Sequence, residues 1–258
     1  MTTIARDGGR GASVGGFEAF SDQVASAWGE SFMGTFPRHV TEALLDGATE
    51  ATVRAGEVLY RRAEDLDSAI LVLIVEGVFR THIRTETGRQ VTLRYAWPGD
   101  VVGVPALVLA GDGGERGRDR WKLYGEHRLQ LEALRDTRLL NLSPERLLEL
   151  AQTEASVAYA LARALAELTL HAEQMLEDGL FLSIRARVAR HLLDLAVSRD
   201  GVLVVAEGQR EIANAIGSVR EVVSRTLLRM AGEGIIDRRE RDTVLLDPAA
   251  LHAIAAAG

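Results

Sequence analysis

The stretch QREIANAIGSVREVVSRTLLRM, Gln209 to Met230, holds the side chains best suited to specific chemistry. Ile212 and Ile216 share one side of a first helical segment, and Val223, Leu227 and Met230 share one side of a second. Gly217 stands where the chain must turn sharply, a position that a residue tolerating positive φ fills at little cost. With the apolar sides turned inward, the second segment presents Arg220, Glu221, Ser224, Arg225 and Arg229 outward. Arginine can pair with O6 and N7 of guanine, and glutamate can accept from N4 of cytosine. Arg220, Glu221 and Arg225 therefore predict readout of G·C-rich steps in a major groove, with Ser224 on the same face as a further DNA-binding candidate. Gln209, Arg210 and the downstream arginines Arg238, Arg239 and Arg241 are expected on backbone phosphates, and Ser218 in the turn is a further DNA-binding candidate.

The spacing predicts the elements that carry these residues. Ser183 can cap a helix over Ile184–Val197, Asp200-Gly201 signals a turn or hairpin, and Val202–Val205 reads as a strand. Helices over Gln209–Ile216 and Val219–Met230 follow. Ile235-Ile236 and Thr243–Leu246 then flank a charged tip like two strands, which completes a winged helix-turn-helix. Upstream, Ser143-Pro144 opens a helical region in which Ala158, Leu161, Leu165, Leu168, Ala172 and Met175 recur at alternating steps of 3 and 4, the pattern of a dimer seam. Earlier still, short β-type runs appear: Val53–Tyr60, Ala69–Val75, Val78–Arg84, Val91–Tyr95, Val101–Val104, Leu129–Leu134 and Arg138–Leu142. Glycines at 56, 77, 88, 99 and 103 punctuate them, as in an all-β sandwich or barrel. AGDGGERGRDR, residues 110–120, reads as a loop, while 17–33 and 37–45 read as helices.

The chain has 258 residues, 47% hydrophobic and 26% charged, which predicts a globular protein of two domains. It has no cysteine, so disulfides, thiolate nucleophiles, cysteine-bound zinc and conventional iron–sulfur clusters are excluded. A net charge of −7 argues mildly against nucleic acid, but the charge is uneven. From Phe181 onward eleven basic residues face ten acidic ones, so the acidity lies upstream. No apolar run reaches roughly 18 residues and no signal-type segment opens the chain, so a soluble, cytoplasmic protein without membrane contact is expected.

The segment REIANAIGSVREVVSRTLLRM resembles the recognition motif of the Crp/Fnr superfamily of bacterial transcription regulators nearly position for position. The glycine series resembles the punctuation of that family's cyclic-nucleotide-binding β-roll, and FLSIRARVARHLLDLA, Phe181–Ala196, is similar to its hinge and first DNA-binding helix. The resemblance implies an α+β fold: an N-terminal double-stranded β-roll, a long dimerisation helix and a C-terminal winged helix-turn-helix. The corresponding boundaries are 1–35 for an N-terminal extension, 36–150 for the roll, 151–180 for helix and hinge, and 181–258 for the DNA-binding domain. It also implies that Arg220, Glu221 and Arg225 read a TGTGA-like half-site as in the family's cAMP-receptor branch, while Ser224-Arg225 is shared with the Fnr branch. Partners implied are double-stranded DNA, a second copy of the chain, RNA polymerase and a small-molecule effector.

The effector site departs from the family. In the cAMP branch the glycine at the Gly103 position precedes a glutamate that bonds the ribose, where this chain has Val104. The phosphate-holding arginine and serine fall near His127 and Arg128, and the adenine-contacting threonine and serine fall on Ala172 and Glu173. A buried phosphate without those partners is costly, so cAMP in that pose is not expected. No cofactor and no metal are expected. His39, His82, His127 and His171 are isolated candidates for haem. A cupin-like metal enzyme is the rival reading, but the His-x-His pair of cupins is missing: His82 precedes Ile83 and Arg84. The reading that remains is a non-enzymatic regulator that binds DNA as a dimer.

Overall fold

The computed structural model describes Phe17 and residues 20–60, 70–84, 90–110, 129–239 and 242–257. Residues 1–16 of the N-terminal extension, the Thr87-Gly88 turn, 111–120 of the expected loop, His127, Arg128 and Arg241 lie outside the described residues. Two compact units divide the chain. One runs to Arg84 and resumes over Arg94–Leu170; the other comprises Thr85–Leu93 and His171 onward.

In chain order the first elements are α1 (Asp22–Glu30), α2 (Arg38–Leu45), β1 (Thr49–Val53), β2 (Val58–Tyr60), β3 (Leu71–Glu76), β4 (Phe79–Arg84), β5 (Gln90–Ala96) and β6 (Val101–Val102). They are followed by α3 (Val104–Ala110), β7 (Leu129–Ala133), β8 (Thr137–Leu142), α4 (Pro144–Thr153) and α5 (Ala155–Phe181). The strands form two four-stranded sheets, ordered β1-β8-β3-β6 and β2-β7-β4-β5, the expected β-roll. Leu71–Glu76 opens with an unbroken apolar run because both its faces are covered. Val72 and Ile74 meet Leu59, Phe79, Leu131 and Ala133 of the other sheet, whereas Leu71, Leu73 and Val75 join a second core with Val24, Trp28, Val40, Leu44 and Leu147 of the helices.

Two expected strands end early. Val53–Tyr60 is broken by a turn at Gly56, so its pieces enter different sheets. Val101–Val104 stops at Val102, because Gly103 takes φ +109° and the chain enters α3. A Cβ on Gly103 would lie 1.8 Å from the carbonyl oxygen of Ile70. The glycine is thus required by the close approach of two backbones, whether or not a ligand binds nearby.

The second sheet carries buried polar groups on the side away from Phe79, Leu131 and Ala133. Antiparallel register sets Arg80 opposite Glu132 and His82 opposite Gln130. Arg80 Nη2 lies 2.5 Å from Glu132 Oε2, and His82 Nε2 lies 3.1 Å from Gln130 Oε1. Burial holds the His82 imidazole below its ordinary value of 6.5; the Arg80 charge adds to this, and Glu132 and Gln130 oppose it.

The second unit contains α6 (Ile184–Leu195), β9 (Val197–Arg199), β10 (Val202–Val205), α7 (Gln209–Ala215), α8 (Arg220–Gly232), β11 (Ile236–Arg238), β12 (Thr243–Leu245) and α9 (Pro248–Ala256). Helix α6 ends two residues short of the expected Val197, which begins β9 instead. Asp200-Gly201 closes a β9–β10 hairpin, and the sheet order β11-β12-β10-β9 makes β11–β12 the wing. Ser183 caps α6 by accepting from the Ala186 N–H at 3.1 Å, as its position suggested. Gly179, read as part of a hinge, lies within α5.

Gly103→Ala is expected to destabilise the roll by at least about 2 kcal/mol, against about 1 kcal/mol for Gly56→Ala, whose φ is also positive. A Cβ on Gly56 meets nothing within 4 Å, so denaturant titrations giving equal losses would refute the close-approach argument. For His82, burial disfavours the protonated form in the folded state. Its contribution is therefore complete above 6.5 and declines as pH falls below that value. Thermal unfolding from about pH 7.5 to about pH 5 should show a smaller acid-side loss in His82→Gln than in the parent, and parallel curves would remove the contribution.

Candidate nucleic-acid interface

Helix α7 starts after Gly208 and buries Ile212 and Ala213; α8 buries Val223, Leu227 and Met230. The two helices pack on each other, and α8 also packs on α6. Between them Gly217 adopts φ +64°, and the Ser218 N–H donates to the Ala213 carbonyl at 2.8 Å. Arg187 of α6 donates from Nη1 to the Ile216 carbonyl at 2.9 Å, which fixes the turn from outside. Arg185, close by on α6, holds Glu233 beyond the end of α8 by donating from Nη1 and Nη2 to its two carboxylate oxygens. That pair pushes the Arg185 pKa up and holds Glu233 below the usual carboxylate range. The angle of α8 is therefore set at its beginning and its end.

The apolar stripe fixes what α8 leaves outside. Arg220, Glu221, Arg225, Leu228 and Arg229 are exposed and Ser224 is half-buried. At about 100° per residue, Arg220, Glu221, Ser224, Arg225 and Leu228 span an arc of about 140°. Among the described residues neither Arg220 nor Arg225 has an acidic partner. Their guanidinium groups can thus face an external acceptor without first giving up an internal one.

The expected phosphate contacts are more varied. Gln209 is half-buried in the first turn of α7, and Ser218 lies in the inter-helix turn. Arg210 is exposed and lies 3.6 Å from Glu211. On the wing, Arg238 is half-buried, and Arg239 is exposed and lies 3.3 Å from Asp237. Arg210 and Arg239 would exchange these exposed contacts, each worth little in water, for a phosphate.

Of the effector candidates, Gly103, Val104, Ala172 and Glu173 are among the described residues. Gly103 answers to the Ile70 carbonyl, and Val104 is buried in the core that includes the helices. Ala172 and Glu173 are exposed on α5. Of the histidines, His39 lies 2.9 Å from Glu154 Oε1, His82 meets Gln130, and His171 lies 3.2 Å from the Leu93 carbonyl. No three His, Asp or Glu residues among those described could together hold a metal ion.

The expected seam residues of α5 are divided. Leu161 is 5% exposed, in the chain's own core with Val157 and Ala160, and Leu165 packs on that core. These two therefore contribute to the chain's own core. Leu168 and Met175 are half-buried, and Ala158 and Ala172 are exposed. A different stripe is open: Ala155, Tyr159, Ala162, Ala166, Thr169, Glu173, Leu176 and Leu180 recur at steps of 4 and 3, and all are exposed. Sequence reading missed it because small residues and a glutamate dilute its hydrophobicity.

Residues 186–254 match the Crp-like helix-turn-helix domain family. The chain is 33% identical over 202 residues to the transcriptional regulator LdrP of Thermus thermophilus, covering 76% of this chain and 91% of that protein. Among solved structures it is similar to FixK2 of Bradyrhizobium japonicum, with a TM-score of 0.65 and 27% identity over 82% of this chain and 98% of FixK2. It is also similar to a CRP/FNR-family transcriptional regulator of Thermus thermophilus, with a TM-score of 0.63 and 26% identity over 81% and 98% of the two chains. These relatives do not favour the cupin-like alternative. No described helix is long and apolar enough to cross a membrane. With a β-roll, a long helix and a winged helix-turn-helix in that order, the chain belongs to the Crp/Fnr superfamily and is a DNA-binding transcription regulator.

Proposed function

We propose that the chain is a cytoplasmic, non-enzymatic regulator that binds a near-palindromic DNA site as a homodimer, with α8 in the major groove of each half-site. The observation that carries this reading is the exposed arc of α8, where Arg220 and Arg225 have no acidic partner among the described residues. Arg220 and Arg225 bind guanine edges, Glu221 accepts from a cytosine amine, and Ser224 lies between them. Gln209, Arg210, Ser218 and Arg238 hold the phosphates on either side.

The open stripe of α5 supports the dimer. Its period of about 3.5 suits a parallel helix pair, and its alanines permit close approach. Two-fold symmetry would set the two copies of α8 about 34 Å apart, one turn of DNA. The buried, apolar Val104 supports an effector other than cAMP in the family's pose, or none. Any effector must bind one arrangement of the dimer better than another, or it controls nothing. A contact with RNA polymerase belongs to the same reading.

Arg220→Ala should weaken binding to the preferred site by about 1–3 kcal/mol per half-site and flatten the preference for it over scrambled DNA. Unchanged binding to both duplexes in a fluorescence titration would refute readout through α8. Ala166→Glu should shift the chain from dimer to monomer in sedimentation velocity at micromolar concentration while leaving the circular dichroism spectrum unchanged. A variant that stays dimeric would place the seam elsewhere.

A further inference from the structure

We propose that Leu228 reads a C5-methyl group in the major groove, that of thymine in unmodified DNA, from within the row of arginines that carries the base-specific contacts. The inference rests on the assignment of α8 as the recognition helix and adds to it a position that favours one particular base.

Leu228 is 57% exposed, while Val223, Leu227 and Met230 on the same helix are buried. A single exposed leucine is ordinary on a protein surface, so its position rather than its exposure matters here. It lies one helical turn beyond Ser224 and two beyond Arg220, which places it in one row with both. Viewed down the axis, it falls between Ser224 on one side and Glu221 and Arg225 on the other, inside the arc of outward polar side chains.

The chemistry of the groove narrows what such a side chain can meet. The major-groove edge of a base pair displays donors, acceptors and, on thymine alone among the four bases, a methyl group. A leucine offers no hydrogen bond, so set against guanine O6 or cytosine N4 it would strip water from a polar atom and give nothing back. Set against a methyl group it buries apolar surface on both sides. Arg220, Arg225 and Arg229 of the same helix are exposed and positively charged, which suits the same polyanion. The side chain therefore rewards a methyl-bearing base and penalises the others at its step.

Sites selected from random-sequence DNA by the parent protein define the half-site. Each thymine is then replaced in turn by deoxyuridine, which removes the methyl group and leaves every hydrogen bond in place. At one thymine per half-site the parent should lose about fourfold in affinity. Leu228→Ala, with the parent's melting temperature, should bind both duplexes equally. Placing 5-methylcytosine at that step tells whether thymine or a methylated cytosine is the better carrier of the group; preference for either over the unmethylated base supports the contact. A parent indifferent to every methyl removal, or a Leu228→Ala variant with the parent's methyl penalty, overturns it. If the parent selects no sequence, or if Arg220→Ala selects the same sites with the same affinity, the recognition-helix assignment fails as well. Selection that depends on Arg220 but ignores methyl groups removes the leucine contact alone.

Discussion

Helix α6 is the frame on which the DNA-binding unit is hung, and its charged side chains orient the elements around it. Arg185 grips Glu233 past the end of α8, and Arg187 donates to the carbonyl of Ile216 in the inter-helix turn. Arg190 reaches Asp178 of α5 and, at 3.2 Å, the carbonyl of Ala255 in α9. His191, largely buried, meets Glu207 ahead of α7 at 2.9 Å. Within about two helical turns, α6 thus fixes all the other helices of this unit and the last turns of α5. Beneath these bonds Val188, Ala189, Leu192 and Leu195 supply the apolar contact that accounts for most of the stability.

The β-roll is governed by a different constraint, the coverage of β3 on both faces. One face closes the roll on Phe79 and Leu131, and the other is sealed by α1, α2, α4 and the start of α5. A tight crossing at the end of this sheet requires Gly103 to be a glycine. The backbone leaving β6 passes so close to Ile70, at the start of β3, that no side chain fits between. The double coverage explains why Leu161 and Leu165 point inward, since they help to seal the outer face.

The parts of the fold that were legible in the sequence are those whose signals are local. The helix-turn-helix declares itself over Gln209–Met230, because a glycine turn and two apolar stripes suffice to specify it. The Ser183 and Ser143 caps were legible for the same reason. VVGVPALVLA conceals a helix behind two strand residues, because a short apolar run does not distinguish a buried strand from a buried helix. Helix α9 was missed although Asp247 caps it and Pro248 opens it, since the alanines that follow carry little periodicity. The pairing of Arg80 with Glu132 depends on the register between strands far apart in sequence. On α5 the more hydrophobic stripe drew the dimer reading, yet hydrophobicity alone does not say whose core a stripe enters.

The face of α8 proposed to read DNA and the frame that orients it use different side chains. Arg185, Arg187 and the buried stripe set the helix in place, while Arg220, Glu221, Arg225 and Leu228 point outward and bury little. Mutation can therefore exchange the outward side chains one at a time with little penalty in folding. The proposed sequence preference can thus be altered at α8 without unsettling the scaffold, whereas a change at Arg187 or Gly217 would disturb the fold before it altered any preference for sequence.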